Sequence, residues 1–281
     1  MKQTDSAQKL IGINQLDTML LVDDYQIPLY QILLIDRDTV AQVDFTAYNI
    51  PAHSILFLSP YQHLQIHHAP HLSYRQLTFH GDYYCIEYHK KEVACNGILF
   101  NNIYIQPYVT VGTSLFNEIE QIYQKVADEI SLSPSNSDSI IKAYLQLLLA
   151  LCSKEKKLIM EGFSPLDHTN NTTGNIFQKR LEEFFRTQKS VQYYADQANI
   201  NLDSFSKKIR QQLGKSPSLL IQERTVLEAK KLLHLTHLPI KEIAETLNFN
   251  DEYYFSRYFK KNVGISPSQY REKVGISIVA K

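Results

Sequence analysis

Apolar and polar positions follow two different periods in this chain, and the change of period divides it. From about Gln15 to Tyr108, short runs rich in β-branched and aromatic residues stand between turn signals. These are Ile27 to Ile35, Ala41-Val43-Phe45, Ser54 to Leu58 and Tyr83 to Tyr88, with Asp36-Arg37-Asp38 and His80-Gly81-Asp82 as separators. Strands this short and closely spaced predict a small barrel or jelly roll. The period then lengthens. Leu115, Ile119, Ile122, Val126 and Ile130 recur at helical spacing, and a second helix carries Ile140, Ile141, Tyr144, Leu147, Leu148 and Leu151. A helix pair this apolar must cover something, either its own barrel or a second copy of itself.

Residues 161–174 are rich in Ser, Thr, Asn, Gly and Pro, which oppose helix and strand alike. They are expected to link residues 1–160 to residues 175–281. The last part carries a repeat. Helical blocks run into Leu213-Gly214-Lys215-Ser216-Pro217 and again into Val263-Gly264-Ile265-Ser266-Pro267, with the glycines fifty residues apart. Upstream of each lie an Ala, an Asn and an inward Phe: Ala195, Asn199 and Phe205, then Ala244, Asn248 and Phe255. The copies differ in one interval, since Ala to Phe is ten residues in the first and eleven in the second. A repeat of this size fixes the fold reading. It predicts two helix-turn-helix units joined by a long helix from Pro217 to about Leu235, with Ser216 as its cap.

Within the first unit the opening helix shows Ile176, Phe177, Leu181 and Phe184. Ser190 is the expected cap of Val191 to Ala198, and Asn199 tolerates the left-handed turn. Helix Leu202 to Leu213 points Phe205 and Ile209 inward and leaves Asp203, Ser204, Lys207, Lys208 and Arg210 outside. In the second unit Pro239 precedes Ile240 to Leu247, and Asn250 or Asp251 caps a helix from about Glu252 to Asn262. There Phe255 and Phe259 point inward, while Tyr253, Ser256, Arg257 and Lys260 point out.

Charge sharpens this picture. The whole chain has 29 Lys+Arg and 29 Asp+Glu. From Gly174 onward there are 18 basic and 11 acidic residues, a net of +7, against 11 and 18 before it, a net of −7. Such asymmetry suits one half that meets a polyanion. No apolar run is long enough for a transmembrane helix, and Met1 to Ser6 lacks an apolar signal segment. Cys85, Cys95 and Cys152 lack C-x-x-C spacing, which suits a reducing compartment and buried thiols. The expected place is the cytoplasm, at the nucleoid.

Residues from about Ile176 to Lys273 resemble the C-terminal domain of the AraC/XylS family of bacterial regulators. The carrying pattern includes Arg224, Ala229, Leu232-Leu233, Ile240, Ile243-Ala244, Asn248-Phe249, Asp251, Tyr254-Phe255-Ser256-Arg257, Phe259-Lys260-Lys261, Gly264, Ser266-Pro267 and Tyr270-Arg271. Asn199 and Asn248 stand where the family usually has Gly. The resemblance implies a transcription regulator of the activator kind, with double-stranded DNA in the major groove as partner and RNA polymerase as a further candidate partner. By position it implies that Asp203, Ser204, Lys207 and Lys208 face DNA from the first unit, and Glu252, Tyr253, Ser256 and Arg257 from the second. Arg257 suits bidentate contact with guanine, whereas the carboxylates of Asp203 and Glu252 repel phosphate and can only accept from bases such as cytosine.

The resemblance also implies a cupin-like barrel with a helix pair ahead of this domain, sensing an unidentified small-molecule effector and forming a homodimer through residues 112–160. The fold class is then α+β: a cupin-like β-barrel with a helix pair, followed by an all-α domain. The alternative is a cupin-type metalloenzyme or ligand carrier with a degenerate helical domain, because His63, His67, His68, His71, His80 and His89 are concentrated there. The usual metal spacing is missing: His67 and His68 are adjacent and would point to opposite faces of a strand, although His63 and His67 could share one with Glu87 and His89. Strand or loop histidines, or a pH-sensitive or ligand-contacting histidine, remain open readings. The sequence assigns no catalytic residue, metal ligand, cofactor or membrane partner, and the chain is read as not an enzyme.

Overall fold

Two compact units make up the molecule, residues 1–100 with 107–156 and residues 101–106 with 157–281. The computed structural model describes residues 10–17, 25–67, 73–84, 98–132, 137–162 and 172–276.

The first unit contains β1 (Ile11–Asp17), β2 (Tyr30–Ile35), β3 (Thr39–Val43), β4 (Thr46–Ile50), β5 (Ser54–Leu58), β6 (Leu64–His67), β7 (Ser73–Phe79) and β8 (Tyr108–Thr110). They form an antiparallel five-stranded sheet of order β1-β7-β2-β5-β8 and a three-stranded sheet of order β4-β3-β6. Among the described residues these sheets do not close into the expected barrel. They enclose a core instead: Leu33, Ile35, Leu56, Leu58 and Tyr74 from the larger sheet meet Ala41, Val43, Ile50, Leu64 and Ile66 from the smaller. Alternation along each strand sends the intervening residues Ile32, Leu34, Ile55, Phe57, Leu77 and Phe79 to the opposite face, and all of these are buried too. A sheet buried on both faces needs a cover.

That cover includes α1 (Thr113–Leu132), which precedes α2 (Asp138–Gly162). Tyr123 on α1 donates to the Ile32 carbonyl at 2.7 Å, and Arg75 on β7 pairs with Glu120. Phe116, Ile119, Ile122 and Val126 are buried. On α2, Ile141, Leu145, Leu148, Leu149 and Cys152 are buried while Ile140 and Leu147 stay exposed. α1 therefore covers its own sheet, while α2 buries one apolar face and leaves part of another exposed.

Three expectations need correction. Tyr83 and Tyr84 are not in a strand, because their N–H groups turn back to the His80 carbonyl at 3.0 and 3.2 Å. Residues 85–88 lie outside the described residues, as do His68, His71, His89, Glu87, Cys85 and Cys95. Phe45 falls in the turn after β3, half-exposed, rather than in the strand. The expected linker is shorter than its composition suggests: Glu161 and Gly162 complete α2, and Thr173 and Gly174 open α3 (Thr173–Phe184). The Thr172 hydroxyl starts that helix early by accepting from Asn175 N. Residues 163–171 are outside the described residues. No described helix is long and apolar enough to cross a membrane.

The second unit continues with α4 (Val191–Gln197), α5 (Leu202–Leu213), α6 (Pro217–Leu235), α7 (Ile240–Thr246), α8 (Glu252–Val263) and α9 (Pro267–Val274). The repeat is carried by its turns. Asn199 and Asn248 have φ of 53° and 55°, in the left-handed region that Asn enters at low cost. After each, an N–H returns to the alanine carbonyl: Ile200 to Ala195 at 3.1 Å and Phe249 to Ala244 at 2.9 Å. Gly214 and Gly264 end the second helices with φ of 72° and 86°. The extra residue of the second copy lies in the turn, since the cap Asn201 follows Asn199 by two residues and the cap Asp251 follows Asn248 by three. Ser190 holds the cap position of α4, but its side chain makes no capping bond there.

Candidate nucleic-acid interface

Each unit buries one face of its second helix, and this fixes which side chains face outward. In the first unit, Phe205 packs edge-on against Phe177 with ring centroids 5.6 Å apart, and Ile209 is fully buried one turn later. In the second, Phe255 and Phe259 are fully buried between Phe249 and Tyr270, with centroid distances of 5.2 and 5.5 Å to those rings. With inward positions four apart, helix geometry at about 3.6 residues per turn leaves the other side to solvent.

The structure places the candidate residues on those sides. On α5, Asp203, Lys207, Lys208 and Arg210 are exposed and Ser204 is partly so; on α8, Tyr253, Arg257 and Lys260 are exposed and Glu252 and Ser256 partly so. Tyr253 is 78% exposed, an unusual setting for a large aromatic side chain that no packing explains. Gln211 and Lys261, which follow Lys207 and Arg257 by four residues, share these outward faces and are exposed too. The same four-residue spacing that groups the other candidates could have found them. Asp203 and Glu252 occupy the first turns of α5 and α8. Their charge complements the positive end of the helix there, which gives each carboxylate a structural reason apart from any base contact.

Caps set the start of each helix. The Asn201 side chain accepts from Ser204 N at 2.9 Å, and that of Asp251 from Tyr254 N at 2.6 Å. Ser216 caps α6, and Ser266 forms a capping box with Gln269 on α9.

Several cations of this basic unit are engaged internally. Arg186 and Arg224 both donate to Glu228, the second at 3.1 Å, and Arg224 also holds Glu182 at 2.9 Å while lying 3.7 Å from the Phe185 ring centroid. Lys215 donates to Glu223 at 2.8 Å and to the Ile103 carbonyl at 3.2 Å. Arg271 donates to the Leu233 carbonyl in the last turn of α6 and to the Leu238 carbonyl beyond it. Burial opposes ionisation of Glu228, but hydrogen bonds and charge from Arg186 and Arg224 overcome it and hold its carboxyl below the ordinary value of 4.5. Its stabilising effect is therefore complete above the ordinary glutamate range and is lost as pH falls through the depressed folded value. Glu228→Gln should lower stability by about 2 kcal/mol at pH 7 and lessen the acid sensitivity of this unit below about pH 4.5. Thermal melts of the two proteins across pH 3–7 should converge towards the acid end; parallel curves would rule this out.

Among the described residues of the first unit, His80 is buried with Asp82 Oδ2 3.4 Å from its Nδ1, and His63 is partly buried. No group of three or more His, Cys, Asp or Glu among the described residues could hold a metal ion.

Comparison with known proteins agrees with the geometry of the second unit. Residues 194–273 match the family described as "Helix-turn-helix domain". The arabinose operon regulatory protein of Escherichia coli is 33% identical over 100 residues, covering 31% of this chain and 34% of that protein. The arabinose operon regulatory protein of Salmonella typhimurium is 44% identical over 62 residues, covering 22% of each. The virulence regulon transcriptional activator VirF of Yersinia enterocolitica is 30% identical over 127 residues, covering 45% of each. The chain thus spans less than half the length of these relatives. Of solved structures, the C-terminal domain of AraT, a response regulator from Geobacillus stearothermophilus, is 31% identical, with a TM-score of 0.37, and covers 40% of this chain and 94% of that one. ToxT from Vibrio cholerae is 14% identical, with a TM-score of 0.42, and covers 95% and 99%. Two helix-turn-helix units with matched turns and caps, together with these sequence matches, make the C-terminal region of this chain an AraC-type helix-turn-helix domain.

Proposed function

We infer that the chain is a sequence-specific DNA-binding transcription regulator that lays α5 and α8 into successive major-groove faces on one side of the duplex. The observation that carries this reading is the pair of outward faces, Lys207, Lys208 and Arg210 on α5 and Arg257 and Lys260 on α8, held on one scaffold by α6. An α-helix fits the major groove, and its N-terminal side chains reach base edges. Ser204, Tyr253, Ser256 and Arg257 stand within the first two turns and are assigned to base reading. Arg210 and Lys260 stand further along and are assigned to phosphates, which position without specifying. Asp203 and Glu252 act on the helix ends and on donors such as cytosine amino groups. The relative named as a transcriptional activator supports activation, with RNA polymerase as the partner to test.

The N-terminal unit is assigned the sensing of a small-molecule effector between or beside its sheets, and no catalytic step. It also pairs with a second copy. Ile140, Tyr144, Leu147 and Leu151 recur on α2 at spacings of four, three and four, and Ile140 and Leu147 are 45% and 44% exposed. An apolar stripe at this period suits helix pairing across a two-fold axis. Leu147→Glu should shift the full-length protein from dimer to monomer in sedimentation without loss of folded signal; an unchanged mass would place the dimer elsewhere.

The DNA reading is tested by measuring affinity for duplex DNA as salt is raised. Six or more phosphate contacts predict a fall of about a thousandfold or more between 50 and 200 mM salt. Absence of binding to promoter fragments, including that of its own gene, at low salt would reject it.

A further inference from the structure

The two helix-turn-helix units are joined covalently by α6 alone, which runs from Pro217 to Leu235 over 19 residues. Such a helix is roughly 28 Å long, at about 1.5 Å per residue. Over that lever a bend of about 10° displaces one end by about 5 Å, more than the rise of one base pair, ~3.4 Å. A linker helix by itself therefore leaves the offset between α5 and α8 poorly defined on the scale at which DNA sequence is read.

A second tie joins the units away from α6. The loop between α3 and α4 approaches the turn of the second unit. Lys189 Nζ donates to the Arg186 carbonyl at 3.1 Å within its own loop and to the Leu247 carbonyl across the seam. Leu247 ends α7, where backbone carbonyls lack helical partners and a cation is favoured. The same ammonium lies 4.6 Å from the centroid of the Phe249 ring. Asn248 completes the tie, its Nδ2 donating to the Thr187 carbonyl at 3.4 Å. Behind these bonds the seam is open: a groove of about 280 Å³, lined among others by Lys189, Gln222, Asn248, Phe249 and Tyr258, adjoins them. Directional hydrogen bonds, rather than a packed apolar surface, set the register here. Burial also holds the Lys189 ammonium below its ordinary pKa, so removing its acceptors would leave it poorly solvated.

We propose that Lys189 and Asn248 fix the offset between the two reading helices and so select the spacing of the two DNA blocks that the domain accepts. Asn248 carries a specific clue. Its turn needs a positive φ, which glycine meets without strain, yet this chain has a residue whose amide can cross the seam. The turn alone does not require that amide. The tie does. The proposal rests on the DNA reading above.

The test uses full-length protein and a duplex series built on its selected operator, with the interval between the two blocks changed by one, two or three base pairs. The wild type should lose about tenfold or more in affinity for a change of one base pair. Lys189→Met and Asn248→Gly should bind the original duplex more weakly and lose less than about threefold on the altered spacings. Asn248→Gly keeps the turn geometry, so it remains informative if Lys189→Met fails to fold; thermal melts identify that case. A merely structural role would weaken all spacings in parallel, and that result overturns the proposal. Failure of the wild type to bind any duplex instead overturns the DNA reading, and this proposal with it.

Discussion

Phe255→Ala should destabilise the second helix-turn-helix unit by about 3–5 kcal/mol. Phe255 is fully buried and packs against Phe249 and Phe259 under α8, so its loss leaves a cavity in this small core. That loss is comparable with the whole stability of many domains, roughly 5–15 kcal/mol. Hydrogen exchange over residues 240–274 should accelerate by two orders of magnitude or more, because about 1.4 kcal/mol corresponds to a factor of ten. DNA affinity should fall with it. A change below about 1 kcal/mol would mean that the outward side chains of α8 are not held by this core.

Arg257→Ala should act quite differently. Arg257 is exposed on α8 one turn after Tyr253 and on the face opposite Phe255 and Phe259, so the melting temperature should hardly move. Affinity for the cognate operator should fall by about 1–3 kcal/mol, roughly five- to 150-fold, while binding to unrelated duplex is nearly unchanged. The same change at Lys260 should weaken binding to all sequences alike and reduce the salt dependence. Equal losses on all sequences for Arg257→Ala would make it a phosphate contact and move base reading to Tyr253 or Ser256.

The helical domain was legible because short-range chemistry encodes it. Asn199, Asn248, Gly214 and Gly264 take positive φ, and Ser216 and Ser266 cap helices that begin with Pro, each within a few residues of its consequence. Even the unequal interval between the copies has a local cause, one extra turn residue before Asp251. The sheet unit was less legible because its pairings are distant in sequence. Ile11 on β1 meets Phe79, Val40 on β3 meets His67, and Ser54 on β5 meets Thr110, so β1, β6 and β8 are defined by partners that local pattern does not reveal. The division into two sheets follows from those pairings too.

Charge was legible as a sum and not as a distribution. The excess of basic residues in the C-terminal part separates only in three dimensions. Arg186, Arg224, Lys215 and Arg271 hold carboxylates and helix ends, while Lys207, Lys208, Arg210, Arg257 and Lys260 stand on the outward faces. Lys189 gave no signal in the sequence. Its acceptor, the Leu247 carbonyl, is 58 positions away and belongs to the backbone, which leaves no mark on residue pattern.

The most direct test of two helices reading one duplex is selection of bound fragments from a genomic library by the full-length protein. An enriched operator should carry two short blocks about one helical turn apart, centre to centre about 10 base pairs, and the block read by α8 should be lost when Arg257 is replaced by Ala. A single uninterrupted block unaffected by Arg257→Ala, or no enrichment at low salt, would contradict this reading.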